Sequence, residues 1–214
     1  MQYEAAILAA AERLSRLDPA DVCARTGVGW DSAPGTGRTA ASTDVCARTG
    51  AGWDDGGYII PWFGKRVPLG GGGGAEQVLW LHYLTSDGAG APTGKLIAYR
   101  DLRGAGFYEP SFNARAVKPL EKRFGADPAA TAALTGAGAA LNGRPAGFGD
   151  ASVTLLPLPM LPVTYIIWGG DGELPPAGMV LFDQTASRWL PAEDLTVLAS
   201  MGAYKLIRAA NELQ

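Results

Sequence analysis

The chain has 214 residues, 47% of them apolar and 18% charged, with a net charge of -3. That length and apolar share suffice for a packed core, while 30 glycines and 15 prolines predict many turns and short elements. With 18 basic against 21 acidic residues, and no basic run to neutralise several phosphates together, nucleic acid is not an expected partner.

No stretch approaches the roughly 18 consecutive apolar residues of a membrane span, and the apolar N-terminal run is broken by Glu12 and Arg13 without a basic leader before it. The expectation is a cytoplasmic protein without a membrane segment. The two cysteines, Cys23 and Cys46, form no Cys-x-x-Cys pair and no disulfide framework, which suits a reducing compartment.

In chain order, residues 2–17 carry Ala6, Ile7, Ala10, Leu14 and Leu17 at helical spacing. The segment DVCARTGVGWD at 21–31 then returns as DVCARTGAGWD at 44–54, a period of 23 residues in which only Val28 is exchanged, for Ala51. Two copies fall short of the roughly three that a solenoid needs to bury its faces, so the repeat is read as a tandem duplication.

Between the copies, the small and polar residues 32–43 have the composition of a mobile surface loop. The second copy runs directly into the β-prone residues from 57 onward and is expected to hold the native position. Each copy offers one sulfur and no nearby histidine, so the cysteines are read as structural rather than as a metal or disulfide site.

Residues 57–63 and 66–69 predict a hairpin around Gly64-Lys65. Five glycines, 70–74, lead into a buried helix over 75–84, apolar nearly all round. A strand at 95–99 and a helix at 115–124 come next, and Asp127-Pro128 open a helix over 129–134 as N-cap and first residue.

Residues 136–149 read as loop. Strands are predicted at 153–156, 163–168 and 179–182 around a corner at Pro157, Pro159 and Pro162. A C-terminal helix starts near Ala192, with Glu193 and Asp194 in its first turn and Gly202 as a candidate kink. The pattern predicts an α+β fold: a mainly antiparallel sheet with helices packed on it, N- and C-terminal helices closing a single domain over 1–214. A Rossmann-like fold is the alternative.

Few residues announce chemistry. His82, the only histidine, lies beside Tyr83 in the apolar helix, either as a core residue or as part of a site. There is no Gly-x-Ser-x-Gly elbow, the five glycines lack the lysine of a P-loop, and neither Gly35-Thr36-Gly37 nor residues 88–94 fit a dinucleotide fingerprint.

The richest segment is 168–194, with Asp171 and Glu173 on a turn, Asp183 at a strand end, and Glu193 and Asp194 at a helix start. Converging, these carboxylates would suit a hard cation or acid and base work; apart, each serves its own turn or cap. Trp168, Phe182 and Trp189 are read as core or interface aromatics. The candidate binding residues are His82, Tyr83, Trp168, Asp171, Glu173 and Asp183, with no cofactor or metal site assigned.

The segments PWFGK (61–65), LHYL (81–84), WGGDGELPPAGMVLFD (168–183) and LPAED (190–194) are similar to those of domain of unknown function 3786, a family of anaerobic bacteria and archaea. The resemblance runs from about Leu17 onward, and in its pattern one segment rather than two precedes the hairpin. It implies an accessory or binding role near low-potential redox, iron-sulfur or corrinoid metabolism, because some relatives carry an added cysteine-rich cluster segment. This chain lacks those cysteines, so a cluster or corrinoid would sit on a partner protein. The alternatives are an enzyme using an acidic, metal-assisted cleft around Asp171, Glu173 and Asp183, with His82 or Tyr83 moving protons, and a structural subunit that buries Trp189 in an interface.

Overall fold

In the computed structural model, which describes residues 3–28, 53–54, 57–171 and 173–213, the chain divides into two compact units. The first comprises residues 1–91 with 158–160 and 188–190; the second comprises 92–157, 161–187 and 191–214. The loop expected at 32–43, the second copy at 44–52 with Cys46, and Gly35-Thr36-Gly37 lie outside the described residues. No helix among those described is long and apolar enough to cross a membrane.

The first unit begins with helix α1 (Glu4–Ser15), which buries Ala10 and Leu14. Helix α2 (Pro19–Thr26) is built from the first copy of the duplicated sequence. Asp18 caps it by accepting from the Ala20 N–H at 2.7 Å, Pro19 supplies its first turn, and Gly27 ends it at φ 66°. The sequence reading placed no helix here, because eight residues with only Val22 and Cys23 as buried apolar positions show too little periodicity to stand out. The capping signals at both ends were legible.

Strands β1 (Trp53–Asp54), β2 (Gly57–Trp62) and β3 (Lys65–Pro68) form an antiparallel ribbon. Trp62 pairs with Lys65, so the turn residues are Phe63 and Gly64, one step earlier than expected. Both have positive φ, 48° and 76°, which is the type I′ geometry that matches strand twist. Phenylalanine is not a turn signal. Its ring is buried and meets Trp62 edge-on at 4.7 Å, and that packing offsets the strained backbone.

Helix α3 (Gly74–Leu84) follows the glycines. A Cβ at Gly72 would lie 2.5 Å from Trp80, so this glycine permits close packing. The Glu76 carboxylate accepts from the Gly73 N–H and from the Trp62 indole N–H, each at 3.0 Å. The start of α3 thus already carries its own anion, and a phosphate-binding reading of the pentaglycine finds no support.

The second unit is a five-stranded sheet in the order β4 (Leu96–Ala98), β8 (Ala177–Asp183), β7 (Leu161–Trp168), β6 (Ala151–Leu158), β5 (Arg144–Pro145). It is antiparallel, with helices α4 (Glu109–Phe112), α5 (Lys118–Phe124), α6 (Pro128–Ala140) and α7 (Ala192–Glu212) packed on it, and the fold is α+β as expected. Tyr165 on β7 sends its hydroxyl to the Ala199 carbonyl of α7 at 3.1 Å, and burial pushes that hydroxyl's pKa well up. Tyr99 donates to the Ala192 carbonyl, shares a 2.7 Å bond with Thr196, and stacks on Phe112 at 3.9 Å.

Two helical segments differ from expectation. Residues 136–140, read as loop, complete α6. Their glycines suggested a break, but Gly138 is buried against Val153 where no larger residue fits. The helix expected at 115–124 begins as a π-turn (Asn113–Val117) between α4 and α5, just before Pro119, which has no N–H to bond back along the helix.

Candidate functional site

In the first unit, Tyr83 is fully buried on α3. Its hydroxyl donates to the Thr26 carbonyl at the end of α2 and accepts from the Met160 N–H at 3.1 Å. Burial pushes its pKa far up, against a smaller lowering by the Met160 N–H and the Arg25 charge. The group is a tie between segments, not a proton donor at neutral pH. Tyr83→Phe is expected to cost about 2 kcal/mol, since it leaves the Met160 N–H and the Thr26 carbonyl unpaired, and equilibrium denaturation checks this. His82, the next residue on α3, is half-buried.

Beside this tie, a shallow open cleft of about 430 Å³ is lined by Asp21, Arg25, Met160 and residues 89–91. Asp21 and Arg25 stand four residues apart on one face of α2. The guanidinium donates to the Leu84 carbonyl at 2.9 Å and also to the Ser86 carbonyl, which sets its orientation. Sequence reasoning missed this cleft; the Asp-x-x-x-Arg spacing was the available signal, and it required α2 to be recognised as a helix. Trp189 is 1% exposed and its ring lies 5.3 Å from that of Tyr83. It is core within its own unit, the first of the two placements expected for it, and leaves no exposed ring for the interface alternative.

In the second unit, Asp183 is 1% exposed at the end of β8. It accepts from the Gly94 N–H at 2.7 Å, from the Thr185 hydroxyl at 2.7 Å and N–H at 3.0 Å, and from the Thr93 hydroxyl at 3.3 Å. Burial raises its pKa, but these bonds outweigh it and hold the carboxyl below the ordinary range. The carboxylate staples the chain before β4 to the chain after β8.

Asp171 serves the connection between β7 and β8: it accepts from the N–H groups of Leu174 at 2.7 Å and Glu173 at 2.8 Å, and these bonds lower its pKa. Glu173 is exposed. The structure does not bring Asp171 and Glu173 together with Asp183. They lie at opposite ends of β8, whose seven residues span about 20 Å at about 3.3 Å each, too far for one cation held by direct oxygen ligands. Among the described residues no group of three or more His, Cys, Asp or Glu is placed to hold a metal. Glu193 accepts from the Tyr108 hydroxyl at 3.2 Å, and Asp194 is buried in the first turn of α7.

Trp168 lies opposite Ala177, and Ile166 opposite Met179, so Trp168 and Met179 are diagonal neighbours on one sheet face. They remain 38% and 37% exposed, and Leu174 in the connection between them is 68% exposed. This apolar corner shares its turn with Asp171 and Glu173, and residues 168–183 contain no lysine or arginine. Of the sequence-predicted candidates, Trp168, Asp171 and Glu173 are therefore grouped at one end of the sheet.

No curated protein and no solved structure matches the chain. The sequence profile described as Domain of unknown function (DUF3786) matches residues 42–205, which takes in the second copy of the duplicated segment, the ribbon, α3 and the whole sheet. That span is well over half the chain and contains all four segments that carry the likeness, so the protein belongs to the DUF3786 family.

Proposed function

We propose that the protein is an accessory protein that docks a partner through the β7–β8 end of its sheet. The observation that carries this reading is the pair Trp168 and Met179, large apolar side chains left part-exposed side by side on one face. Isolated exposed apolar residues are ordinary on a soluble protein, but an adjacent tryptophan and methionine beside an exposed leucine form the kind of anchor an interface uses. The rim is acidic. Asp171, with its pKa held down by two backbone N–H groups, stays charged across the physiological range, so the complementary surface has an apolar pocket edged by lysine or arginine.

The family likeness points to a partner class in low-potential redox, iron-sulfur or corrinoid metabolism, the cofactor lying on the partner. The test is affinity capture under exclusion of oxygen from an anaerobic source, using the wild type, Trp168→Asp, and the charge reversal Asp171→Lys with Glu173→Lys. The expected result is a partner retained by the wild type, depleted at least tenfold by both variants, and carrying a metal or corrinoid absorption band. Equal capture by all three folded proteins refutes the docking surface; a depleted partner without a chromophore refutes the redox assignment alone.

A further inference from the structure

Two opposite charges line the cleft beside α2, and neither is neutralised. Asp21 and Arg25 stand one helical turn apart, about 6 Å along the axis, yet among the described residues no ion pair joins them and neither pairs with another charge. The guanidinium is held instead by uncharged acceptors: Nη1 donates to the Ser86 carbonyl and, at 3.3 Å, to the Ser86 hydroxyl, and Nη2 donates to the Leu84 carbonyl at 2.9 Å. These contacts orient the group without cancelling its charge. They leave the Nε–H and the second N–H of Nη2, adjacent donors of the kind that grip a carboxylate with two prongs.

The rest of the cleft, about 430 Å³ in volume, is apolar: Ala24 from α2, then Ala89, Ala91 and Met160. Met160 is fixed in place, its N–H tied to the Tyr83 hydroxyl at 3.1 Å and its terminal carbon 3.0 Å from where a Cβ on Gly27 would stand. We propose that this cleft binds a zwitterionic α-amino acid with an aliphatic side chain. Its carboxylate lies on the free donors of Arg25, its ammonium on the Asp21 carboxylate, and its side chain on Ala24 and Met160. A simple anion placed here would meet the charge of Asp21, and a simple cation that of Arg25; only a ligand carrying both charges close together meets an opposite charge at each end. A long peptide carries its terminal charges too far apart to satisfy both. The site lies in the first unit and does not depend on the docking surface at the β7–β8 end of the sheet.

The test titrates the isotope-labelled full chain with L-leucine, with isocaproate, which lacks the ammonium, and with isopentylamine, which lacks the carboxylate, and follows the backbone amide signals by NMR. Because the cleft is open to solvent, leucine should bind with a Kd of about 1 mM, shifting the amides of residues 21–25 and 89–91. Each single-charge analogue loses a charged contact and should bind at least about tenfold more weakly. Asp21 is exposed, so Asp21→Asn leaves the fold intact and removes one contact alone. That variant should bind leucine about tenfold more weakly than the wild type does, and isocaproate no more weakly. The proposal is overturned if leucine leaves these amides unmoved, if isocaproate or isopentylamine binds as tightly as leucine, or if Asp21→Asn binds leucine as the wild type does.

Discussion

Asp183→Ala is expected to destabilise the second unit by about 3 kcal/mol, because four donors lose a carboxylate and the two on buried Thr185 are left without an acceptor. Those donors come from both sides of the sheet edge: Thr93 and Gly94 before β4, and Thr185 after β8. Asp183→Asn keeps one acceptor oxygen but turns a donating amide toward groups that also donate, so it should lose most of the same amount.

The pH dependence separates this role from simple packing. Asp183 has a folded pKa below its unfolded value of about 3.9, so its contribution is complete above that pH and is lost as pH falls through the folded value. The stability gap between the wild type and Asp183→Asn should therefore be constant near neutrality and shrink in acid. Chemical denaturation at a series of pH values measures it, and a gap that persists unchanged below the carboxylate range would contradict the stapling role.

Gly138→Ala should cost about 3 kcal/mol, although alanine is the better helix former by about 1 kcal/mol. The added Cβ would stand 2.2 Å from one methyl of Val153 and 2.9 Å from its Cβ, so α6 must move off the sheet or Val153 must leave its rotamer. The clash is with a side chain on β6, and removing that side chain should relieve it. Combining Gly138→Ala with Val153→Ala should therefore cost clearly less than the sum of the two single changes. A double-mutant cycle by equilibrium denaturation checks the sign of that coupling. Additive losses would mean that the glycine matters for backbone freedom rather than for the distance between helix and sheet.

The candidate site was legible only in pieces. The turn Asp171 to Leu174 could be read from WGGDGEL, since an aspartate among glycines after a strand forms such turns, and its grouping with Trp168 comes from adjacency in the chain. That Asp183 lies about 20 Å from that turn required β8 to be seen as one straight strand, which pattern alone leaves undecided. The cleft beside α2 was invisible because two of its walls, Met160 and residues 89–91, come from distant parts of the chain.

By itself, the sequence determined what depends on local periodicity and on capping chemistry. It specified α1 and α3 through their apolar spacing, α7 through the acidic first turn and the stripe behind it, and the start of α6 through Asp127-Pro128. It also specified the α+β class through strands clustered between helices, and family membership through segments that a profile then matched. Tertiary structure alone decided whether a glycine breaks an element or lets two elements approach. Gly138 looked like a loop residue and is a helix–sheet contact, while Phe63 looked like a strand residue and is a turn residue held by its buried ring. Both outcomes have one physical cause: burial against residues far along the chain contributes more free energy than the local backbone preference it overrides, and that burial exists only once the fold has formed.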